Sequence, residues 1–355
     1  MSFAAMPALM LAVAAGAPER YADVLEAYRA GAATAVERVG QVPEKAIRDE
    51  IRRVQRLRWR ALSVACLDCS EKRLFAAYPV AAAAVLHTAR GLREDRAGRG
   101  AEGILHFGFA RDWLSMGEPE LDPLFVEWYA ALATHLFHRV ELDTAERTLK
   151  DATRQFPEAA RLWLAYGVAA EMRAHLTAEP DHVFSSDRQY RDERRQFEAD
   201  RQAACRDAEA RYRRALDLDP ALVEARLRLG QVLARQDRME DALRELDQAA
   251  ASTDDPRALY LAHLLAGRAE ERRERPGAAL LRYREATAAL ESGEAGWVAL
   301  AHALARAGDR DGAAAAIARV VQGDPGPGLD PYRAYHHGGR GDDVDPLRAP
   351  EAWIR

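Results

Sequence analysis

The sequence predicts an all-α fold, a solenoid of antiparallel helix pairs, and three observations carry that expectation. A pattern of small, aromatic and branched residues recurs from Val126 to Pro327, in units beginning near Val126, Ala160, Val223, Tyr260 and Glu294. Alanine dominates the apolar residues, and alanine is the strongest helix former. From Glu19 to the end of the repeats, the apolar residues follow helical spacing, interrupted by short glycine- and proline-bearing breaks.

The recurrence is visible residue by residue. The first unit carries Tyr129, Leu132, Ala133 and Leu136, then Ala145, Leu149, Ala152 and Pro157. The fifth carries Trp297, Leu300, Ala301 and Leu304, then Ala313, Ile317, Val320 and Pro325, at identical intervals. The third supplies Leu229, Gly230, Leu233, Ala242, Leu246 and Ala249, and the fourth Ala266, Gly267, Ala279, Tyr283 and Ala286. In the second, Trp163, Tyr166 and Gly167 fit the first helix, whereas Ala208, Tyr212, Ala215 and Pro220 arrive about 29 residues late. A slip of three residues follows the third unit and leaves its proline, Pro256, two places late.

This pattern resembles the tetratricopeptide repeat, with its period of about 34 residues and its W-x2-L-G-x2-Y…A-x3-F…A…P signature. The resemblance covers a little over half of the chain. It implies a right-handed superhelix of helix pairs that binds a protein or peptide in a concave groove. Small residues (Ala133, Gly167, Gly230, Gly267, Ala301) let the second helix of each pair approach the first, and alanines at 145, 208, 242, 279 and 313 do so from the other side. Each unit leans mainly on its neighbours, so the stack is quasi-one-dimensional.

The elements follow in order. Residues 1–18 hold the apolar run Phe3–Ala17, which ends Ala15-Gly16-Ala17. It is too short to span a bilayer. Its length and small-residue end are those of a signal peptide without the basic start, which points to export or a periplasmic location; the alternative is a buried first helix in a cytoplasmic protein. Residues 19–125 read as a helical cap of degenerate repeats. Tyr21–Ala30 and Ala32–Val39 form a pair, and Pro43 opens a helix towards Ala65 with Ile47, Ile51, Val54 and Leu57 on one face. Ser70 caps a short helix ending by Tyr78-Pro79; Val80–Leu92 is a second, largely apolar helix. Arg93–Gly100 is read as a loop and Ala101–Met116 as a helix, broken at Gly117-Glu118-Pro119.

The array itself occupies 126–327, with a charged insertion at 174–203. Asp187–Arg214 interleaves Arg, Asp and Glu, and Tyr190, Phe197 and Ala204 make a thin apolar stripe. The expectation is a second helix lengthened at its N-terminus, projecting with its charges paired along it. The tail, 328–355, is rich in glycine, proline and aspartate and reads as irregular, with Tyr332, Tyr335 and Trp353 as anchors onto the last repeat.

Composition narrows the function. Hydrophobic residues at 48% and charged residues at 30% indicate an ordered, soluble chain. A net charge of −5 spread over mixed signs marks no face for a polyanion, so nucleic acid is not an expected partner. Asparagine is absent, which removes any N-x-[ST] glycosylation acceptor.

Chemistry is sparse. Cys66 and Cys69 form C-x-x-C without a second pair, and Cys205 stands alone. Gly98, Gly100 and Gly103 match G-x-G-x-x-G, but no strand precedes them. His135, His138 and Glu141 share one helical side without a fuller ligand set, and His336-His337 sits in the glycine-rich tail. No catalytic residue, metal site or cofactor is expected. Two readings of another class remain beside the scaffold: a thiol- or metal-dependent enzyme built on these residues, and an exported envelope-assembly component.

The resemblance implies a groove lined by the first helices. Some relatives clamp a peptide carboxylate there with lysine, arginine and asparagine; here the fifth positions are Ala130, Leu164, Leu227, Leu264 and Val298, and the ninth Thr134, Val168, Gln231, Arg268 and His302. Without asparagine that clamp is missing. The expected groove instead offers Phe137, His138, Leu164 and Met172 in the early units. Leu227, Arg228, Arg235, Leu265, Arg268, Arg272, His302 and Arg306 follow in the later ones. The arginines suit an acidic segment, or else pair with Glu224, Glu271 and neighbouring carboxylates.

Overall fold

A computed structural model of the chain describes residues 69–115, 122–176, 187–322 and 330–332, with positions 45, 49 and 52. The Phe3–Ala17 run, the helices expected between Tyr21 and Ala65, the thiols of Cys66 and Cys69, and most of the tail lie outside what is described. Among the described residues there are twelve helices and no strand. None of these helices is long and apolar enough to cross a membrane. The chain divides into two compact units, Met1–His135 and Leu136–Arg355.

The first unit contains α1 (Cys69–Arg96), α2 (Gly100–Leu114) and most of α3 (Asp122–His138). α1 is one helix where the sequence suggested two, because it runs through Tyr78-Pro79 without a break. An interior proline costs a helix about 3 kcal/mol. Burial of the face that follows it, with Ala83, Ala84, Leu86 and Ala89 almost inaccessible, outweighs that cost. The expected loop at 93–100 shrinks to a turn after Arg96, since Glu94 is held inside the helix by Arg90 at 3.6 Å and by Arg99 at 2.5 Å. Trp128 on α3 donates its indole N–H to the Phe107 carbonyl of α2 at 2.8 Å.

The second unit stacks nine helices: α4 (Leu142–Gln155), α5 (Ala160–Leu176), α6 (Asp187–Leu218), α7 (Val223–Arg235), α8 (Met239–Ala251), α9 (Pro256–Arg272), α10 (Pro276–Ala289), α11 (Glu294–Arg306) and α12 (Arg310–Gln322). Each packs on its neighbour in sequence from α4 to α12, and α7 also touches α9, and α9 touches α11. That is the contact pattern of a solenoid, with first helices meeting along one side. Within pairs the fit is between a missing side chain and a ring: a Cβ at Gly167 would overlap Tyr212, and one at Gly267 would overlap Tyr283.

The turn between the helices of a pair repeats in detail. Val140, Asp237, Glu274 and Gly308 all take positive φ, at 58°, 66°, 58° and 86°. One residue on, the amides of Glu141, Arg238, Arg275 and Asp309 donate to the carbonyls of Leu136, Leu233, Glu270 and Leu304. This satisfies the orphan carbonyls at the end of the first helix and reverses the chain. Pro256, read from the sequence as the end of the third unit, is in fact the first residue of α9. Asp255 caps that helix by accepting from the Arg257 amide at 3.3 Å. Proline suits this place because a first-turn N–H has no partner within the helix.

α6 is a single helix of 32 residues. No side chain from 187 to 203 is buried; burial begins at Ala204 and Cys205. The exposed half is stitched by its own contacts, among them Gln189 to Glu193 at 2.8 Å, Arg195 to Asp192 at 2.6 Å and Arg201 to Glu198 at 3.1 Å. Phe197 is covered by the Arg201 guanidinium, 5.8 Å from the ring centre.

Candidate functional site

The first helices of the array supply the residues singled out from the sequence, and the structure sorts them into two sets. Phe137, Leu164, Met172 and Leu227 are core, each no more than 8% exposed. Their apolar surface is spent on holding the helices together. Leu265 joins them at 7%. Arg228 is buried too, bonded to Glu224 at 2.5 Å and to Glu171 at 3.2 Å. Arg235 binds the other oxygen of Glu171 at 3.1 Å, and the Tyr212 hydroxyl donates to Glu171 at 2.6 Å. Burial disfavours the charge on Glu171, but Arg235 and Arg228 more than offset it and hold the carboxyl below its ordinary range. The Tyr212 hydroxyl is pushed up by burial and by that same carboxylate.

Glu171 was not singled out from the sequence. Its signal is a carboxylate closing the largely apolar run from Leu162 to Ala170, where an unpaired charge would be costly.

The second set stays at least partly accessible. Arg268 and Arg272 on α9 and His302 on α11 line a cavity of about 700 Å³ between those helices, together with Glu271, Val298 and Asp330. Arg272 is exposed, donating to the Asp237 carboxylate at 2.7 Å and to the Ala234 carbonyl. Glu271 accepts from the Tyr283 hydroxyl at 2.8 Å and lies 3.7 Å from His302. Val298 is 48% exposed, a large apolar side chain facing outward among charged neighbours. Arg306 is exposed and His138 half-buried; neither lines this cavity.

One end of the cavity is taken by the tail. Asp330 is buried, and both of its oxygens lie 3.0 Å from the Tyr260 hydroxyl. It also accepts the Ala295 amide at 2.6 Å. Tyr332 lies on the Arg268 guanidinium, 4.1 Å from its ring centre. The tail anchor therefore spans the fourth and fifth units, and Asp330 was not foreseen. Its signal is local: in Asp-Pro-Tyr the aspartate accepts the Tyr332 amide at 2.8 Å, the short-range turn that aspartate favours.

Elsewhere, His135 is buried in the first unit, its Nδ1 2.7 Å from Asp95. Glu141 pairs with Arg139 at 2.7 Å. Among the described residues no cluster of three or more histidine, cysteine or acidic side chains is arranged for a metal. Cys205 is buried, which raises its thiol above the ordinary value.

Residues 204–265, which run from the buried part of α6 into α9, match the family model described as tetratricopeptide repeat. No curated protein sequence matches the chain. Similar solved structures include MamA 41-end from Desulfovibrio magneticus RS-1, at 19% identity and TM-score 0.41 over 56% of this chain and 93% of that one. Another is pilF of Pseudomonas aeruginosa, at 16% and 0.45 over 64% and 84%. A thermophilic TPR protein of Thermus thermophilus stands at 18% and 0.45 over 62% and 97%. At such identities and scores, these neighbours bear on neither activity nor partner. The matched segment, the helix pairs and the recurring small-to-large contacts give the conclusion: residues 204–265 carry tetratricopeptide repeats, within an all-α stack of paired helices of the kind typical of protein-interaction scaffolds.

Proposed function

We propose that the protein is a non-catalytic scaffold that binds a peptide segment of a partner protein along the first-helix face of its later repeats. The observation that carries this reading is the open cavity between α9 and α11, where outward-facing Val298 sits among Arg268, Arg272, Glu271 and His302. A groove with an apolar floor and a few placed charges is the usual form of a peptide site. Buried Arg228 and half-buried Arg235, both held on Glu171, do not line it. Binding rests on α9 and α11 rather than on the early repeats, where Phe137, Leu164 and Met172 are packed away.

The experiment is affinity capture from native extract with the intact protein beside a Val298→Asp/His302→Ala variant of unchanged helicity. A partner retained by the wild type and lost from the variant supports the reading. An identical set from both proteins would sink it.

A further inference from the structure

We propose that Asp330-Pro331-Tyr332 occupies the α9–α11 groove as a ligand in cis, and that the external partner of this groove is a peptide bearing an acidic residue two places before a tyrosine, which takes its place. The proposal rests on the groove reading above and specifies the chemistry of the peptide.

Three features of the tripeptide are those of a bound ligand. The first is an anion seat. The Asp330 carboxylate lies at the first turn of α11, where amides have no partner inside the helix and the helix dipole favours negative charge. The second is an oriented donor. The Tyr260 hydroxyl accepts the Gly296 amide at 3.0 Å, which leaves its proton for the carboxylate. The third is a cationic shelf: Tyr332, a residue only 5% exposed, lays its ring on the Arg268 guanidinium.

Every receiving group belongs to α9 or α11. Arg268 and Ala295 also line the cavity, and Asp330 forms its boundary. The tripeptide thus fills one end of a groove whose remainder runs on past Val298 to His302. Its grip comes from charge, hydrogen bonds and a cation–π contact, which read sequence, in contrast to the apolar jigsaw that joins the helices. A peptide with the same acidic-x-tyrosine spacing would find the same seat, donor and shelf, and could extend into the open part.

The test uses the full chain and a fluorescent synthetic peptide of residues 326–335. An Asp330→Ala/Tyr332→Ala variant should bind the peptide saturably. The wild type should bind it at least about tenfold more weakly, because a tethered occupant competes at an effective concentration on the order of millimolar. Replacing the peptide's aspartate with asparagine, or the tyrosine that corresponds to Tyr332 with alanine, should each cost about tenfold or more. Tyr260→Phe in the receptor should do the same. Equal affinity for variant and wild type, or no binding to either, overturns the proposal.

Should the double variant lose helicity, the unmodified chain labelled with 3-fluorotyrosine replaces it. Excess peptide should then shift the Tyr332 resonance, and a resonance unmoved by millimolar peptide is the overturning result. The two readings fail separately. Partner capture that depends on Val298 but resists competition by the peptide leaves the groove standing and removes the ligand assignment. Peptide binding together with capture insensitive to Val298→Asp does the reverse.

Discussion

The carboxylate of Glu171 in α5 and the guanidinium of Arg228 in α7 meet at 3.2 Å, with each residue only 3% exposed. The pair joins the second and third repeats across a buried interface. Removing Arg228 takes a partner from two buried carboxylates, Glu171 and Glu224, at a cost of about 3 kcal/mol. Arg228→Ala should therefore lower unfolding free energy by that amount in urea titration. A Glu171→Leu/Glu224→Leu/Arg228→Met variant, which removes both carboxylates together with the guanidinium, should recover most of the loss. The folded Glu171 carboxyl lies below its ordinary value, so its contribution is present above the ordinary carboxylate range and is lost as pH falls through the lowered one.

Gly230 faces Leu246, and a Cβ there would come within 2.7 Å of the Leu246 Cγ. Gly230→Leu should cost about 3 kcal/mol or more, since overpacking at a helix crossing forces backbone movement. Hydrogen exchange should accelerate first in α7 and α8. Unchanged protection there would mean that the two helices are not paired as described.

Val140 bends the chain at φ 58°, a conformation hard on a β-branched side chain. Val140→Gly should raise stability by about 1 kcal/mol, visible as a higher Tm. Asp237→Gly should gain less, because aspartate tolerates that conformation and Asp237 also holds Arg272 at 2.7 Å.

His87 in the first unit places its Nδ1 3.0 Å from the Nδ1 of His106, with Arg90 and the Phe109 ring also close. Burial, then His106 and Arg90, push its pKa down to about 4 from 6.5. The unfolded chain then binds more protons between those values, so stability is complete above 6.5 and falls as pH drops towards 4. The loss from this residue is about 3 kcal/mol at most. His87→Phe should flatten stability against pH across that window, measured by denaturant unfolding at several pH values.

The repeat was readable because helix pairing needs small residues opposite large ones at fixed intervals, and Gly167, Gly230 and Gly267 sit in that register. Which arginine stays in solvent was not readable. Arg228 and Arg235 lie two turns apart on α7, and the carboxylate that claims both is 57 and 64 residues away on α5. Helix periodicity says nothing about so distant a partner. Pro79 misled because local propensity ends a helix there while burial beyond it continues one. Asp330 escaped notice because a glycine- and proline-rich context is read as loop, and the contact that fixes it joins residues 70 apart.

That long reach has a further consequence. A linear stack ordinarily frays from its ends, since the last unit leans on one neighbour. Here the amides that begin α11 are fastened to α9 through Asp330 and Tyr260, so the terminal pair cannot peel away without releasing a clasp formed across two repeats. This contact joins residues 70 apart, more than the 64 between Glu171 and Arg235, and long loops form late. The C-terminal end should be the last part to lock in folding, and once locked should open together with α9 as one block.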